Sequence, residues 1–98
     1  MEIKMAQQGK ELVIELAGRL DTTTAPELEA VVKSEFEGKD SVIFDFAALD
    51  YISSAGLRVL LSAQKIMNRQ GPMVIRNVND TINEVFDVTG FSDILTIE

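Results

Sequence analysis

Two adjacent serines, Ser53 and Ser54, are the side chains of this sequence best placed for chemistry. An apolar run precedes them, and Gly56 and Leu57 follow at the start of a helix-like apolar spacing. The first N–H groups of a helix lack intrahelical partners, and with the helix dipole they favour an anion. The position therefore suits a phosphate. Serine is also a common helix N-cap, so a purely structural role stays open for either hydroxyl.

The residue types that the chain lacks limit what these serines can do. The sequence contains no His and no Cys, so the usual general base near neutral pH and every thiol are missing. A serine nucleophile would need an activating base. The sequence also has no GxxxxGK[ST] phosphate-binding loop. We therefore expect a protein that is not an enzyme and that has no catalytic residue, metal site or cofactor.

Composition sets further bounds. The formal net charge of −7 disfavours nucleic acid, whose binding depends on cations that neutralise phosphates. No apolar run of about 18 residues is present, and the N-terminal residues lack a signal-peptide pattern. We expect no membrane insertion and a cytoplasmic location. A chain of 98 residues with 46% apolar content predicts one domain over residues 1–98.

Apolar periodicity predicts an α/β fold with the order β-β-α-β-α-β-α-β. That order implies a mixed sheet in which an N-terminal hairpin lies beside parallel crossovers. Residues 18–25 are predicted as a loop, with a capping box from Thr24 to Glu27. The run 41–46 indicates a strand that is covered on both faces or has an apolar neighbour on each side. The predicted strands are 2–6, 12–16, 41–46, 73–75 and 94–97, and the helices start near Thr24, Ser54 and Asn79.

The stretch from Leu49 to Leu61 resembles the phosphorylation loop of the STAS family of anti-sigma-factor antagonists. In that family the loop reads Asp-Ser-Ser/Thr-Gly-Leu at a helix start, and the serine after the Asp is phosphorylated. When Gly56-Leu57 is aligned with the family's Gly-Leu, Ser54 takes the acceptor position. Ser53 then stands where most members carry Asp, and Ala55 takes the second hydroxyl position.

Two further segments carry the same resemblance. The family pattern Gly-x-Leu-Asp-x-x-Thr-Ala-x-x-Leu is matched by Gly18, Leu20, Asp21, Thr24, Ala25 and Leu28. The segment 85–91 is similar to the family's Phe-Asp-x-(Ser/Thr)-Gly-(Leu/Phe). In the family, the loop that contains Asp21 lies beside the phosphorylation loop and contributes to the partner-binding face. From the residues alone, Asp21 is equally explained as a charge that favours a helix N-terminus.

The resemblance implies a protein-binding switch. In the family, the unphosphorylated protein binds an anti-sigma factor, often itself a serine kinase, and so frees the sigma factor. Phosphorylation, here expected at Ser54, blocks that complex, and a cognate serine phosphatase restores it. The residues that the resemblance assigns to partner binding are Asp21, Thr22, Thr23, Ser53, Ser54, Ala55, Gly56 and Arg58. The alternative is a non-phosphorylated STAS interaction subunit of a transport or signalling assembly, which Ser53 in place of Asp favours.

Overall fold

Five strands form one mixed sheet in the computed structural model, which describes residues 1–98. The strands are β1 (Glu2–Gln8), β2 (Glu11–Leu20), β3 (Ser41–Ile52), β4 (Met73–Arg76) and β5 (Thr96–Ile97), in the spatial order β1-β2-β3-β4-β5. β1 and β2 pair antiparallel, and the three other pairs are parallel. The predicted α/β class, the N-terminal hairpin and the element order are confirmed.

Three helices connect the parallel strands: α1 (Ala25–Glu35), α2 (Ser54–Met67) and α3 (Asp80–Thr89). Their predicted starts are confirmed. The Asn79 side chain caps α3 by accepting a hydrogen bond from the Ile82 N–H at 2.8 Å. The predicted last strand is too long, because residues 91–93 form a 3₁₀ turn and Ile94 is exposed. No helix has both the length and the apolar character needed to cross a membrane.

The core lies between the helices and one face of the sheet. Alternate residues of the three inner strands point into it, and all are at most 2% exposed. They are Leu12, Ile14 and Leu16 of β2, Val42, Phe44 and Phe46 of β3, and Met73 and Ile75 of β4. On the opposite face Val13, Ile43 and Val74 are only half-buried. β3 therefore has an apolar neighbour on each side but only one fully buried face.

Both strands that lead to the serine pair are longer than the pattern predicts. The predicted strands end at residues 16 and 46, whereas β2 continues to Leu20 and β3 continues to Ile52. Two register shifts in their pairing explain the difference. They change the spacing of buried residues on β3 from two to three, so that Phe46 is followed by Leu49 and Ile52. A bulged strand loses the alternation by which strands are detected.

Candidate functional site

Two short connections lie side by side at one edge of the sheet. β2 and β3 are parallel neighbours that end together, with Leu20 paired to Ile52. The Ser53 N–H donates to the Leu20 carbonyl at 2.9 Å, which ties the start of one connection to the end of the other strand. The carboxyl edge of parallel strands is where open α/β sheets bind their ligands. The structure thus brings the Asp21 loop beside the serine pair.

The two serines differ in accessibility. Ser53 has the extended conformation of an N-cap, with φ −102° and ψ 177°, and its carbonyl accepts from the Leu57 N–H at 3.0 Å. Its Oγ is buried without a hydrogen-bond partner, so it does not cap the helix. Ser54 is the first residue of α2 and is exposed. Neither serine is a side-chain cap, and Ser54 is the more accessible of the two.

The first turn of α2 rests directly on the ends of the two strands. Gly56 is buried, and a Cβ built on it would lie 2.7 Å from Leu20 Cγ and 2.9 Å from Ile52 Cγ1. Glycine is therefore required for this close approach. Because it offers no surface to a partner, Gly56 acts on the site by positioning it. Ala55 is half-buried, and Arg58 is exposed one turn beyond Ser54.

Asp21 organises the connection between β2 and α1. Its Oδ1 accepts from the Thr23 hydroxyl at 2.7 Å, the Thr23 N–H at 3.0 Å and the Thr24 N–H at 3.2 Å. The Thr23 hydroxyl is the main reason that the pKa of Asp21 lies below its ordinary value of 3.8, against an opposing effect of desolvation. Asp21 therefore has a defined structural role in this turn, and a partner contact through it stays a prediction.

The predicted capping box at the start of α1 is wrong. Thr24 occupies the N-cap position with helical angles, φ −101° and ψ −22°, and makes no side-chain cap bond. Its hydroxyl instead accepts from the Asp21 N–H and donates to the Arg19 carbonyl, each at 2.8 Å. A capping threonine normally has an extended backbone. The Thr24 hydroxyl forms its hydrogen bonds within the Asp21 turn and does not cap α1, so no capping box with Glu27 is formed.

A shallow groove of about 330 Å³ runs between α1 and α2, and it is lined by Ala55, the residue after Ser54, but not by Ser54 itself. Its walls are Thr22, Ala25, Pro26 and Glu29 on one side, and Ala55, Arg58, Val59 and Ser62 on the other. The groove brings together three residues predicted to bind a partner, Thr22, Ala55 and Arg58. Thr23 does not line it, and its hydroxyl donates a hydrogen bond to Asp21 Oδ1.

Sequence reasoning missed two exposed side chains at this edge, Arg19 and Tyr51. They face each other across β2 and β3, and the Arg19 guanidinium carbon lies 4.3 Å from the centroid of the Tyr51 ring. The Arg19 Nε also lies 3.7 Å from Asp21 Oδ2. Only the register between β2 and β3 reveals this pair, because 31 residues lie between Arg19 and Tyr51 in the sequence.

The Ser54 hydroxyl is the accessible hydroxyl of the serine pair. Ser54 presents a hydroxyl at a helix N-terminus, and no His exists to activate it. The structure also contains no cluster of three or more His, Cys, Asp or Glu side chains able to hold a metal ion. The structure therefore leaves the Ser54 hydroxyl accessible from solvent at the start of α2.

The sequence model of the STAS domain matches residues 2–98, nearly the whole chain. The chain belongs to the STAS domain family. Relatives of this STAS domain include BtrV of Bordetella bronchiseptica, named as an anti-sigma factor antagonist, which is 35% identical over 99 residues. That match covers 99% of this chain and 85% of the relative. The anti-sigma-B factor antagonist of Staphylococcus epidermidis is 33% identical, over 86% of this chain and 80% of the relative.

Solved structures confirm the fold of this STAS domain. The anti-sigma factor antagonist SpoIIAA in its unphosphorylated form superimposes with a TM-score of 0.77 at 20% identity, covering 99% of this chain and 87% of SpoIIAA. SpoIIAA of Bacillus in its phosphorylated form gives a TM-score of 0.76, with 99% and 91% coverage, also at 20% identity. At this identity the likeness concerns the fold.

Proposed function

We propose that this STAS domain is an anti-sigma factor antagonist that is controlled by phosphorylation of Ser54. The observation that carries the proposal is the position of Ser54, which is exposed at the first residue of α2. The next residue, Ala55, lines the groove between α1 and α2. In the unphosphorylated state the domain sequesters an anti-sigma factor in the cytoplasm and so activates transcription. It has no enzymatic activity of its own.

The local electrostatics accept a phosphate on Ser54 in the free protein. Phosphorylation adds about −1.5 to −2 charge and three acceptor oxygens at neutral pH. The free N–H groups and the dipole of α2 stabilise a negative charge at this end of the helix. Arg58, four residues along α2, lies on the same helix face and has no ion pair in the structure. The modified domain therefore keeps its fold.

The same phosphate blocks a complex formed over this surface. A partner that covers Ser54 must remove water from the added charge or meet it with a compensating cation. A loss of about 2.7 kcal/mol weakens binding about a hundredfold. The kinase is the anti-sigma factor itself, and a serine phosphatase reverses the modification. Partner contacts come from the exposed residues Thr22, Thr23, Ser54 and Arg58 with half-buried Ala55, while Asp21, Ser53 and Gly56 shape the surface.

The relatives support this proposal in two ways. BtrV and the S. epidermidis protein are named as antagonists of anti-sigma factors and match most of this chain. SpoIIAA has been solved with and without phosphate, and both forms match this chain about equally well, with TM-scores of 0.76 and 0.77. A STAS fold therefore carries a phosphate without a change of architecture.

The decisive experiment is incubation with the cognate anti-sigma kinase and ATP, followed by mass spectrometry of the intact protein and its peptides. We expect one phosphate, on Ser54. Ser54→Ala should take up none and still bind the anti-sigma factor. Ser53→Ala is the matched control and should be phosphorylated like the wild type, because the Ser53 Oγ is buried and makes no hydrogen bond. Phosphate found on Ser53 would contradict the assignment.

The second candidate function is a STAS subunit that binds a partner without being phosphorylated. The observation that favours it is Ser53, which supplies no carboxylate beside Ser54 at the position where most family members carry Asp. The same experiment separates the two. Binding of the partner with no phosphate on either serine would support the non-phosphorylated subunit.

A further inference from the structure

The Arg19–Tyr51 pair lies on the sheet face that the helices leave uncovered. Leu20 and Ile52, the next residues along the two strands, are at most 2% exposed and point into the core. Both register shifts lie before this pair, so side chains alternate regularly from Arg19 to Leu20 and from Tyr51 to Ile52, and Arg19 and Tyr51 point to the opposite face. Tyr51 is 36% exposed and is the only aromatic residue among the exposed large apolar side chains of the chain. The pair therefore contributes to surface rather than to the core.

The two side chains contact each other in the absence of a partner. The Arg19 guanidinium lies over the Tyr51 ring, with 4.3 Å between its central carbon and the ring centroid. This cation–π contact orients both side chains. Their ordering therefore costs little at the moment of binding, which is the usual advantage of a preorganised surface. Tyr and Arg are also two of the residue types most enriched among the energetically dominant residues of interfaces.

Hydrogen-bonding capacity remains free on Arg19. Its only ionic neighbour is Asp21, and the 3.7 Å between Nε and Oδ2 is beyond hydrogen-bond distance. Asp21 uses its other oxygen, Oδ1, for the turn. The Arg19 side chain is 62% exposed, so its N–H groups can donate to a carboxylate from outside in a paired geometry.

The pair is continuous with the site proposed for the anti-sigma factor. Arg19 forms an ion pair with Asp21. Only Ile52 separates Tyr51 from Ser53, and the Ser53 N–H donates a hydrogen bond to the Leu20 carbonyl. We propose that the Arg19–Tyr51 pair anchors the same anti-sigma factor, which covers the Tyr51 ring with an apolar side chain and presents a carboxylate to Arg19. This inference rests on the proposed function. It extends the interface from α2 over the sheet edge onto the uncovered face.

Calorimetric titration of the unphosphorylated protein with its cognate anti-sigma factor tests the proposal. Tyr51→Ala and Arg19→Ala should each weaken binding at least about tenfold. Tyr51→Phe retains the ring beneath Arg19 and should bind within about twofold of the wild type. Arg19→Ala should also flatten the dependence of affinity on salt, because an ion pair with the partner is lost. Val88→Ala, at a side chain 77% exposed on α3, is the matched control and should bind like the wild type.

A structural role alone predicts another result. If the pair only stabilises the sheet, both alanine variants lower the melting temperature and bind within about twofold of the wild type, and the proposal is overturned. An equal loss of affinity in Val88→Ala would overturn it too. If the wild type itself binds no anti-sigma factor, both the anchor and the proposed function are overturned. Wild-type binding with unaffected alanine variants leaves the proposed function intact and removes only the anchor.

Discussion

Gly56→Ala tests whether the close contact between α2 and the two strand ends positions Ser54. The substitution places a methyl group 2.7 Å from Leu20 Cγ and 2.9 Å from Ile52 Cγ1. Ordinary contact begins at 3.4 Å, so the shortfall at Leu20 is 3.4 − 2.7, or 0.7 Å. Both neighbours are at most 2% exposed, and the nearest atom is not the mobile end of a side chain. Either these two packed side chains or the helix turn that carries Ser54 must therefore move.

Two effects of opposite sign decide the size of the change. Alanine favours the helical backbone over glycine by about 1 kcal/mol. Adding a methyl group to a well-packed core costs about 1–3 kcal/mol. We expect a net loss of about 1 kcal/mol in the free energy of unfolding, together with slower phosphorylation of Ser54. Urea denaturation followed by circular dichroism measures the first quantity, and a timed kinase assay measures the second.

A double-mutant cycle with Leu20→Ala identifies the cause. Removing the Leu20 side chain beyond Cβ relieves the close contacts at 2.7 and 3.0 Å and leaves the one with Ile52 Cγ1 at 2.9 Å. The cost of Gly56→Ala should then shrink without vanishing. The reasoning would be refuted if Gly56→Ala alone raised stability by the full helix-propensity increment and left the phosphorylation rate unchanged.

Two further predictions concern polar contacts. Gln70 Nε2 donates to the Phe36 carbonyl at 2.8 Å and the Lys39 carbonyl at 2.7 Å, so Gln70→Ala should lower the free energy of unfolding by about 1–3 kcal/mol in urea titrations, and a loss within error would contradict this. The lowered pKa of Asp21 means that its carboxylate contributes stability that is present above the ordinary value of 3.8 and is lost as pH falls through the folded-state value below it. Asp21→Asn should therefore be less stable than the wild type at neutral pH, with a gap that narrows in titrations below 3.8. A gap that does not depend on pH would show that the charge is irrelevant.

Much of the fold could be predicted because most elements have regular apolar spacing. The starts of all three helices follow from local residues, such as Asn79, whose side chain caps α3. The second half of β3 could not be predicted in the same way. There, two register shifts replace alternation with a spacing of three, and this depends on pairing with β2 rather than on β3 itself.

The same irregularity hid part of the candidate site. Gly18 pairs with Leu49, so a regular register would place Asp50 opposite Arg19. The shift after Gly18 places Tyr51 there instead, and the ring comes to lie beneath the guanidinium. No spacing within the sequence specifies this offset of one residue. By contrast, the serine pair was detectable, because a helix start after an apolar run is a local signal.

We expect phosphorylation on Ser54 rather than Ser53 because of how the end of β3 is fixed. Ile52 is buried and marks the last position that belongs to the core. Four residues later, Gly56 lies so close to Ile52 and Leu20 that a Cβ would clash with both, and the first turn of α2 packs over the strand ends. Between these two residues, the Ser53 N–H donates to the Leu20 carbonyl and the Ser53 hydroxyl is buried, whereas Ser54 is exposed. A kinase that approaches from solvent therefore reaches the Ser54 hydroxyl without disturbing Ile52 or Gly56, whereas the buried Ser53 hydroxyl must first be exposed.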